Sequence, residues 1–216
     1  MTIAFPLART AFADLLPIVT FKWHLPPLVE SSGTALGQVI TNEIAPRRWR
    51  AEAEIGRMKH AEAAEILALF DAIGPNGTFY LHNPAQPGPR DDPRGVVLGA
   101  SSVTIDSIGG DNKSLRLAGL PAGYTLKRGD LLHFDYASNP TRRALHRMVE
   151  NATANASGVT GTFEIRPFVR AGTTTGLAVT LIKPAAKMIV EPGSFDPGTA
   201  GPVFVTGMSF RAIEVR

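Results

Sequence analysis

The chain has 216 residues, 44% of them hydrophobic and 19% charged, and it contains no cysteine. The length fits one large or two small domains. The balance of hydrophobic and charged residues is typical of a folded protein and excludes intrinsic disorder. The absence of thiols excludes disulfide bonds, cysteine-ligated zinc and thiolate catalysis. The first residues lack the basic and apolar parts of a secretory signal, and no apolar run reaches the length of a membrane span. We therefore expect a soluble protein.

The net charge of +3 is spread along the chain. Lysine and arginine number 8 against 8 acidic residues in residues 1–90, 9 against 8 in residues 91–168, and 5 against 3 in residues 169–216. A nucleic-acid-binding protein usually concentrates its basic residues on one face. The densest basic cluster is Arg47-Arg48-Trp49-Arg50, and the alternation in residues 51–55 that follows favours a strand over a nucleic-acid patch. We expect no specific nucleic-acid partner.

Short β-rich segments separated by glycine and proline are typical of a mainly β protein. In chain order, the pattern predicts strands at residues 18–24, 38–44, 49–55, 77–81, 95–98, 103–105, 114–118, 131–135, 145–150, 159–165, 177–181, 186–190 and 204–212. The scattered glycines and prolines set the boundaries between these segments. The sequence shows no convincing internal repeat.

One helix interrupts this pattern, between residues 59 and 73. Ile66, Leu67 and Phe70 lie on one apolar side of it, and Gly74-Pro75 ends it. Because no second helix is predicted, the apolar side has only a sheet to pack against. We therefore expect a single helix that covers a sheet and buries these three side chains.

Two breaks divide the chain. Residues 83–94 contain four prolines, each without a backbone donor, so we interpret this segment as a linker that no sheet crosses. Residues 96–168 carry only strand patterns, enough for a small barrel of the kind seen in OB-folds. A second break lies near residues 167–175. These breaks predict a discontinuous β-sandwich domain, residues 1–90 and 169–216, with a small β-barrel domain, residues 91–168, inserted into it.

No recognised chemical motif is complete. Residues 109–114, Gly-Gly-Asp-Asn-Lys-Ser, contain fragments of a phosphate-binding loop but lead into a strand, which favours a hairpin turn. Gly207-Met208-Ser209-Phe210 lacks the closing glycine and the following helix of a nucleophile elbow. Asp91 and Asp92 lie in the proline-rich segment, where we expect solvated turn residues rather than an acid–base pair.

The five histidines show no metal-binding spacing: His24, His60, His82, His133 and His146. His133 and His146 face each other if their strands pair in the right register, and a surface pair is the favoured interpretation. We therefore predict that the chain is not an enzyme and has no catalytic, cofactor-binding or metal-binding residues.

Six short segments follow one another in an order that matches a known family. They are Phe21-Lys22-Trp23-His24, the alternating residues 49–55, the helix at 61–73, residues 77–81, Leu126-Lys127-Arg128-Gly129-Asp130, and Leu145-His146-Arg147-Met148-Val149. The order of these segments resembles the distal tail proteins of long-tailed bacteriophages and gene transfer agents. The likeness extends over most of the chain.

This resemblance implies a structural virion protein at the tip of a phage tail, made in the host cytoplasm. Residues 1–90 with 169–216 would form a β-sandwich with a covering helix, six copies would close a ring, and the barrel would decorate its outside. The implied partners are other copies of the chain, the tail tube protein, and the tip, hub and fibre proteins.

Two alternative functions stay open at this point. One is another minor protein of the tail or tube. The other is a carbohydrate-binding β-sandwich module, whose sugar platform needs exposed aromatic rings. For such a platform the chain offers Trp23, Trp49 and three tyrosines.

Overall fold

The computed structural model describes residues 3–33 and 37–215. It is mainly β and, within the described residues, has one α-helix, α1 (His60–Ile73). Two 3-10 turns precede the first strand, at Arg9–Ala11 and Ala13–Leu15. The predicted fold class, a mainly β protein with one covering helix, a sandwich and a small barrel, is therefore confirmed.

The described residues contain eighteen short strands. Those before residue 110 are β1 (Ile18–His24), β2 (Leu28–Gly33), β3 (Val39–Ala45), β4 (Arg50–Ile55), β5 (Met58–Lys59), β6 (Phe79–His82) and β7 (Thr104–Ile108). The remainder are β8 (Ser114–Ala118), β9 (Thr125–Leu126), β10 (Leu131–Tyr136), β11 (Arg142–Met148), β12 (Ala152–Thr153), β13 (Phe163–Arg166), β14 (Val179–Thr180), β15 (Ala185–Val190), β16 (Thr199–Ala200), β17 (Phe204–Thr206) and β18 (Ser209–Glu214).

The sandwich contains a five-stranded sheet in the order β1-β4-β18-β15-β6 and a three-stranded sheet in the order β16-β17-β5. Helix α1 packs on this part of the molecule. The Phe70 ring meets those of Phe12 and Phe210 at centroid distances of 5.2 Å each. Ile66 and Phe70 are buried, as predicted, whereas Leu67 is only partly buried.

The barrel is a six-stranded sheet in the order β14-β10-β11-β13-β8-β7. Hydrogen bonds join the two edges of this sheet, near β7 and β14. The Ile105 N–H donates to the Leu177 carbonyl at 3.0 Å, and the Val179 N–H donates to the Val103 carbonyl at 2.8 Å. The barrel therefore nearly closes, and its last strand lies beyond residue 168. Whether residues 91–168 form a separate domain stays a prediction.

Strands β10 and β11 belong to both halves of the molecule. Leu132 and Phe134 lie in the barrel core, while Leu131 and Leu145 lie in the sandwich core. The indole N–H of Trp49, on the sandwich side, donates to the Leu145 carbonyl at 2.8 Å. Because a strand projects successive side chains to opposite faces, one hairpin supplies a wall to each core.

The proline-rich segment at residues 83–94 contains no strand, as predicted, but it is packed rather than loose. Asp130 is fully buried beneath it and accepts hydrogen bonds from the backbone N–H groups of Arg90, at 3.1 Å, and Lys127, at 2.8 Å. These bonds attach the segment to the turn before β10. The connection between sandwich and barrel is therefore fixed by a buried carboxylate.

Several predicted strands differ from the observed ones. Residues 95–98 form turns instead of a strand, because the buried Asp92 carboxylate accepts the N–H groups of Val96 and Leu98 at 2.7 and 2.8 Å. Residues 204–212 form two strands, β17 and β18, divided at Gly207, whose φ of 78° favours glycine. Of residues 159–165, only the end is a strand, β13. Strand β2 was missed.

Candidate functional site

The hairpin formed by β2 and β3 is exposed on both faces. Every residue of β2 is exposed, and so is every residue of β3 except Ala45. Five of these are large apolar side chains that remain between 48% and 71% exposed: Leu28, Val29, Val39, Ile40 and Ile44. A two-stranded hairpin alone in water is only marginally stable, and apolar side chains exposed in this way are typical of interaction surfaces.

Strand β1, which leads into this hairpin, is an edge strand. It pairs with β4 on one side, and no strand pairs with its other side among the described residues. Trp23 on this strand stacks between Phe21 and Trp49 at centroid distances of 5.6 and 5.4 Å. Its indole nitrogen is buried and has no hydrogen-bond partner in the described part of the chain. Open edges of this kind pair readily with another chain.

The opposite edge of the same sheet is protected. Next to β6, the Leu7 N–H donates to the Thr78 carbonyl at 2.8 Å, and the Tyr80 N–H donates to the Leu7 carbonyl at 3.1 Å. The N-terminal segment thus covers this edge as an added bridge. Because the β6 edge is covered and the β1 edge is open, we define the candidate assembly surface as the open edge of β1 together with the β2–β3 hairpin.

The histidine pair predicted at the surface is not found. In the β10–β11 register His133 pairs with Leu145 and His146 with Leu132, so the two rings point to opposite faces. Both are buried. The His146 Nδ1–H donates to the Pro167 carbonyl at 2.8 Å, and burial lowers the pKa of His146 to about 4. Each histidine is a neutral core residue, and the prediction of a surface pair was wrong.

The two aspartates of the proline-rich segment have different environments. Asp91 is exposed and lies 3.4 Å from Lys127, as expected for a solvated turn residue. Asp92 is buried, and its carboxylate also accepts the Tyr124 hydroxyl at 3.2 Å. Burial opposes the charged form, but the hydrogen bonds to Leu98, Val97, Val96 and Tyr124 leave the pKa of Asp92 below its usual range. The prediction that Asp92 is solvated was therefore wrong.

The remaining candidate motifs are structural. Residues 109–112 form the turn between the antiparallel strands β7 and β8, with the Gly109 N–H donating to the Ser114 carbonyl at 3.0 Å. The hairpin interpretation of this glycine-rich segment is confirmed. In the basic cluster at residues 47–50, Trp49 is fully buried and β4 begins at Arg50, which confirms the strand interpretation. Ser209 begins strand β18.

The aromatic residues required by a sugar platform lie mostly in the interior. Trp49, Tyr124 and Tyr136 are buried, and Trp23 is half-buried. The fifth, Tyr80, is half-buried beneath the Arg143 guanidinium, 3.9 Å from its ring centroid. These five side chains therefore do not form an exposed platform.

No protein-family model matches the chain, and no curated protein matches its sequence. Within residues 3–33 and 37–215, no three side chains of the metal-binding types lie close enough together to hold an ion. The helix in the described residues is too short to cross a membrane.

Sequence reasoning predicted the β3 side of the candidate assembly surface, at residues 38–44, but not its partner strand β2. Apolar alternation does not mark this hairpin, since Val39 and Ile40 of β3 are adjacent in sequence. Segment 28–33 ends in Ser31-Ser32-Gly33 and shows no apolar alternation.

Proposed function

We propose that the chain is a non-enzymatic structural component of a phage-like tail, a distal tail protein whose copies assemble into a ring at the tail tip. The single observation that carries the proposal is the β2–β3 hairpin, exposed on both faces beside the open edge of β1. The order of elements in the sequence, which resembles distal tail proteins, supports the same function.

The proposed occupant of the candidate assembly surface is a second copy of the chain. The hairpin follows the open edge of β1 after only three residues, Leu25 to Pro27, so one approaching subunit can cover both. The contact would join different surfaces of successive subunits. Such head-to-tail contacts generate closed rings when the rotation between subunits is suitable, and we propose six subunits.

Light scattering on the purified chain tests self-assembly. We expect a ring, with a hexamer as the proposed state. The double variant Val39→Lys with Ile40→Lys should shift the protein to monomer, because it places two charges on the covered apolar residues. Val96→Lys with Val97→Lys is the matched control, since these two valines are 73% and 62% exposed and lie outside the hairpin.

A monomer for the natural chain at all concentrations, or equal effects of the two double variants, would contradict assembly through the hairpin. Deletion of residues 28–45 provides a further check. Leu28 and Ala45 are paired across the hairpin, so the deletion joins neighbouring points and should leave the sandwich folded.

Electron microscopy tests the location. Particles labelled with an antibody against this chain should carry the label at the tip end of the tail, where the tube protein and the hub or fibre proteins are the proposed partners. Label on the capsid or along the whole tube, or no label on any particle, would overturn the tail-tip assignment even if the purified chain forms rings.

A further inference from the structure

A cleft of about 580 Å³ lies between the base of the β2–β3 hairpin and the barrel. Residues 43–47 line the hairpin side, and Tyr136, Arg142 and residues 166–171 line the barrel side. This volume lies within the range of sites that bind small organic molecules. The cleft is separate from the apolar residues of the hairpin strands that form the candidate assembly surface, except that Ile44 contributes to both.

The cleft carries an excess of positive charge. Four arginines line it, Arg47, Arg142, Arg166 and Arg170, against the single carboxylate of Glu43. Three of them are paired with carboxylates: Arg47 with Glu43 at 2.9 Å, Arg166 with Glu164 at 2.6 Å, and Arg170 with Glu214 at 2.7 Å. The Arg142 guanidinium has no hydrogen bond or ion pair with any residue that the structure describes.

Arg170 forms the buried part of this lining. Its side chain is only 9% exposed, and Nη2 donates to Glu214 Oε1 at 2.7 Å. The other two guanidinium nitrogens, Nε and Nη1, are buried and lack an acceptor among the described residues. Buried donors without acceptors are unfavourable, so a carboxylate that moves from the cleft into contact with these nitrogens would remove that cost.

The same cleft has apolar walls. Ile44 is 56% exposed on the hairpin side and Phe168 is 42% exposed on the barrel side. Pro46 and Pro167 continue these two walls. The edges of the site are thus charged, and its sides offer contact to a hydrocarbon or aromatic group.

We propose that this cleft binds a small organic acid, one carboxylate joined to an apolar body of the size of an aromatic ring. The Arg142 guanidinium, which is free to make a two-point contact, and the Arg170 guanidinium hold the carboxylate. Ile44 and Phe168 contact the apolar body. The carboxylate contacts of Arg142 and Arg170 do not depend on the tail proposal, since neither residue belongs to the candidate assembly surface.

Binding of 3-phenylpropionate to the natural full-length chain tests the proposal, by calorimetry at low salt and by NMR of the arginine Nε–H signals. We expect saturable binding at one site and a shift of the Arg170 Nε–H signal. Arg142→Leu should weaken binding at least about 10-fold, since a charge-assisted hydrogen bond is lost. Arg94→Leu is the matched control, because Arg94 is exposed and lies outside the cleft.

Two comparison ligands and the control variant test whether the carboxylate, the apolar body and the cleft arginine are each needed for binding. The neutral 3-phenylpropionamide should bind at least about 10-fold more weakly than the acid, and sulfate, which lacks an apolar body, should bind more weakly as well. Equal binding of acid and amide, stronger binding of sulfate, or an equal loss in Arg94→Leu would overturn the proposal. So would the absence of any saturable binding to the natural chain. Arg142 has no partner to lose, so its variant should stay folded.

Discussion

Two antiparallel hairpins of this protein have similar hydrogen-bonded ladders and opposite surroundings. The β10–β11 hairpin pairs six residues of each strand and is buried on both faces, between the barrel core and the sandwich core. The β2–β3 hairpin pairs as many residues and is exposed on both faces. Ladder hydrogen bonds alone leave a hairpin marginally stable. Burial on both faces therefore stabilises the β10–β11 hairpin, and the β2–β3 hairpin lacks that contribution within the described residues.

Truncation of an apolar side chain in each hairpin should give the largest contrast. Phe134 of β10 is fully buried and Ile40 of β3 is 60% exposed. We expect Phe134→Ala to lower the free energy of unfolding by about 3–5 kcal/mol and Ile40→Ala to change it by less than about 0.5 kcal/mol. Urea titrations of both variants at a concentration where the chain is monomeric measure this. Similar losses would show that the exposed hairpin is packed within one chain.

The buried histidine of β11 should make stability depend on pH. Burial lowers the pKa of His146 in the folded protein to about 4, whereas the unfolded chain titrates near the ordinary histidine value of about 6.5. The neutral form is favoured by folding, so this contribution is complete above pH 6.5 and is lost as the pH falls towards 4. The expected slope is about 1.4 kcal/mol per pH unit for this one proton.

Unfolding titrations at several pH values between 7.5 and 4.5 measure this slope. His133, with a folded pKa of about 3, and His82, with one of about 4, contribute in the same direction, because burial is the main cause for each. His146→Asn should therefore remove the contribution of one proton to the slope, about 1.4 kcal/mol per pH unit, and leave the contributions of the other two histidines. An unchanged slope in His146→Asn would contradict the assignment.

The smallest contrast concerns one arginine–carboxylate pair on each hairpin. Arg143 binds Asp135 of the β10–β11 hairpin through two nitrogens at 2.7 and 2.8 Å, and its charge and hydrogen bonds hold the pKa of Asp135 below the usual value against the opposing effect of burial. Arg47 binds Glu43 of the exposed hairpin at 2.9 and 3.5 Å. The first pair has the tighter two-point geometry.

We expect Asp135→Asn to lower the free energy of unfolding by about 1 kcal/mol and Glu43→Gln by at most about 0.3 kcal/mol. Added salt at about 0.5 M should remove most of the second effect, because exposed charges are screened over a few ångströms. A larger loss in Glu43→Gln would indicate that the exposed hairpin is held to the rest of its own chain by this pair.

The parts of the fold that sequence patterns predicted best are those with one buried face. Strand β1 at residues 18–24, strand β8 at residues 114–118 and the helix at residues 60–73 match the predictions closely, since each shows the periodicity of one apolar face. Neither β2 nor β3 has a buried face; β3 was nevertheless predicted, at residues 38–44, and β2 was missed. Residues 95–98 are apolar but form turns, because the Asp92 carboxylate captures their N–H groups.

The surroundings of the candidate sites depend on contacts that are distant in sequence. Burial lowers the pKa of His146, and its Nδ1–H donates to the carbonyl of Pro167, twenty-one positions away. Arg170 meets Glu214 across forty-four positions. A sequence pattern describes neighbours within one element, so neither contact was predictable. The proposed covering of the β2–β3 hairpin by another subunit is likewise not predictable from the pattern of one chain.

The barrel leaves and re-enters the sandwich through two strands that are bonded to each other. Strand β6 ends at His82, β15 begins at Ala185, and these two residues are paired in the ladder. Closing a flexible loop of about a hundred residues costs roughly 4 kcal/mol in chain entropy, on a scale of (3/2)RT ln n. A barrel that forms early brings residues 82 and 185 together in advance and removes most of that cost. We therefore expect the barrel to fold before the β6–β15 ladder of the sandwich, because the barrel is inserted between these two strands.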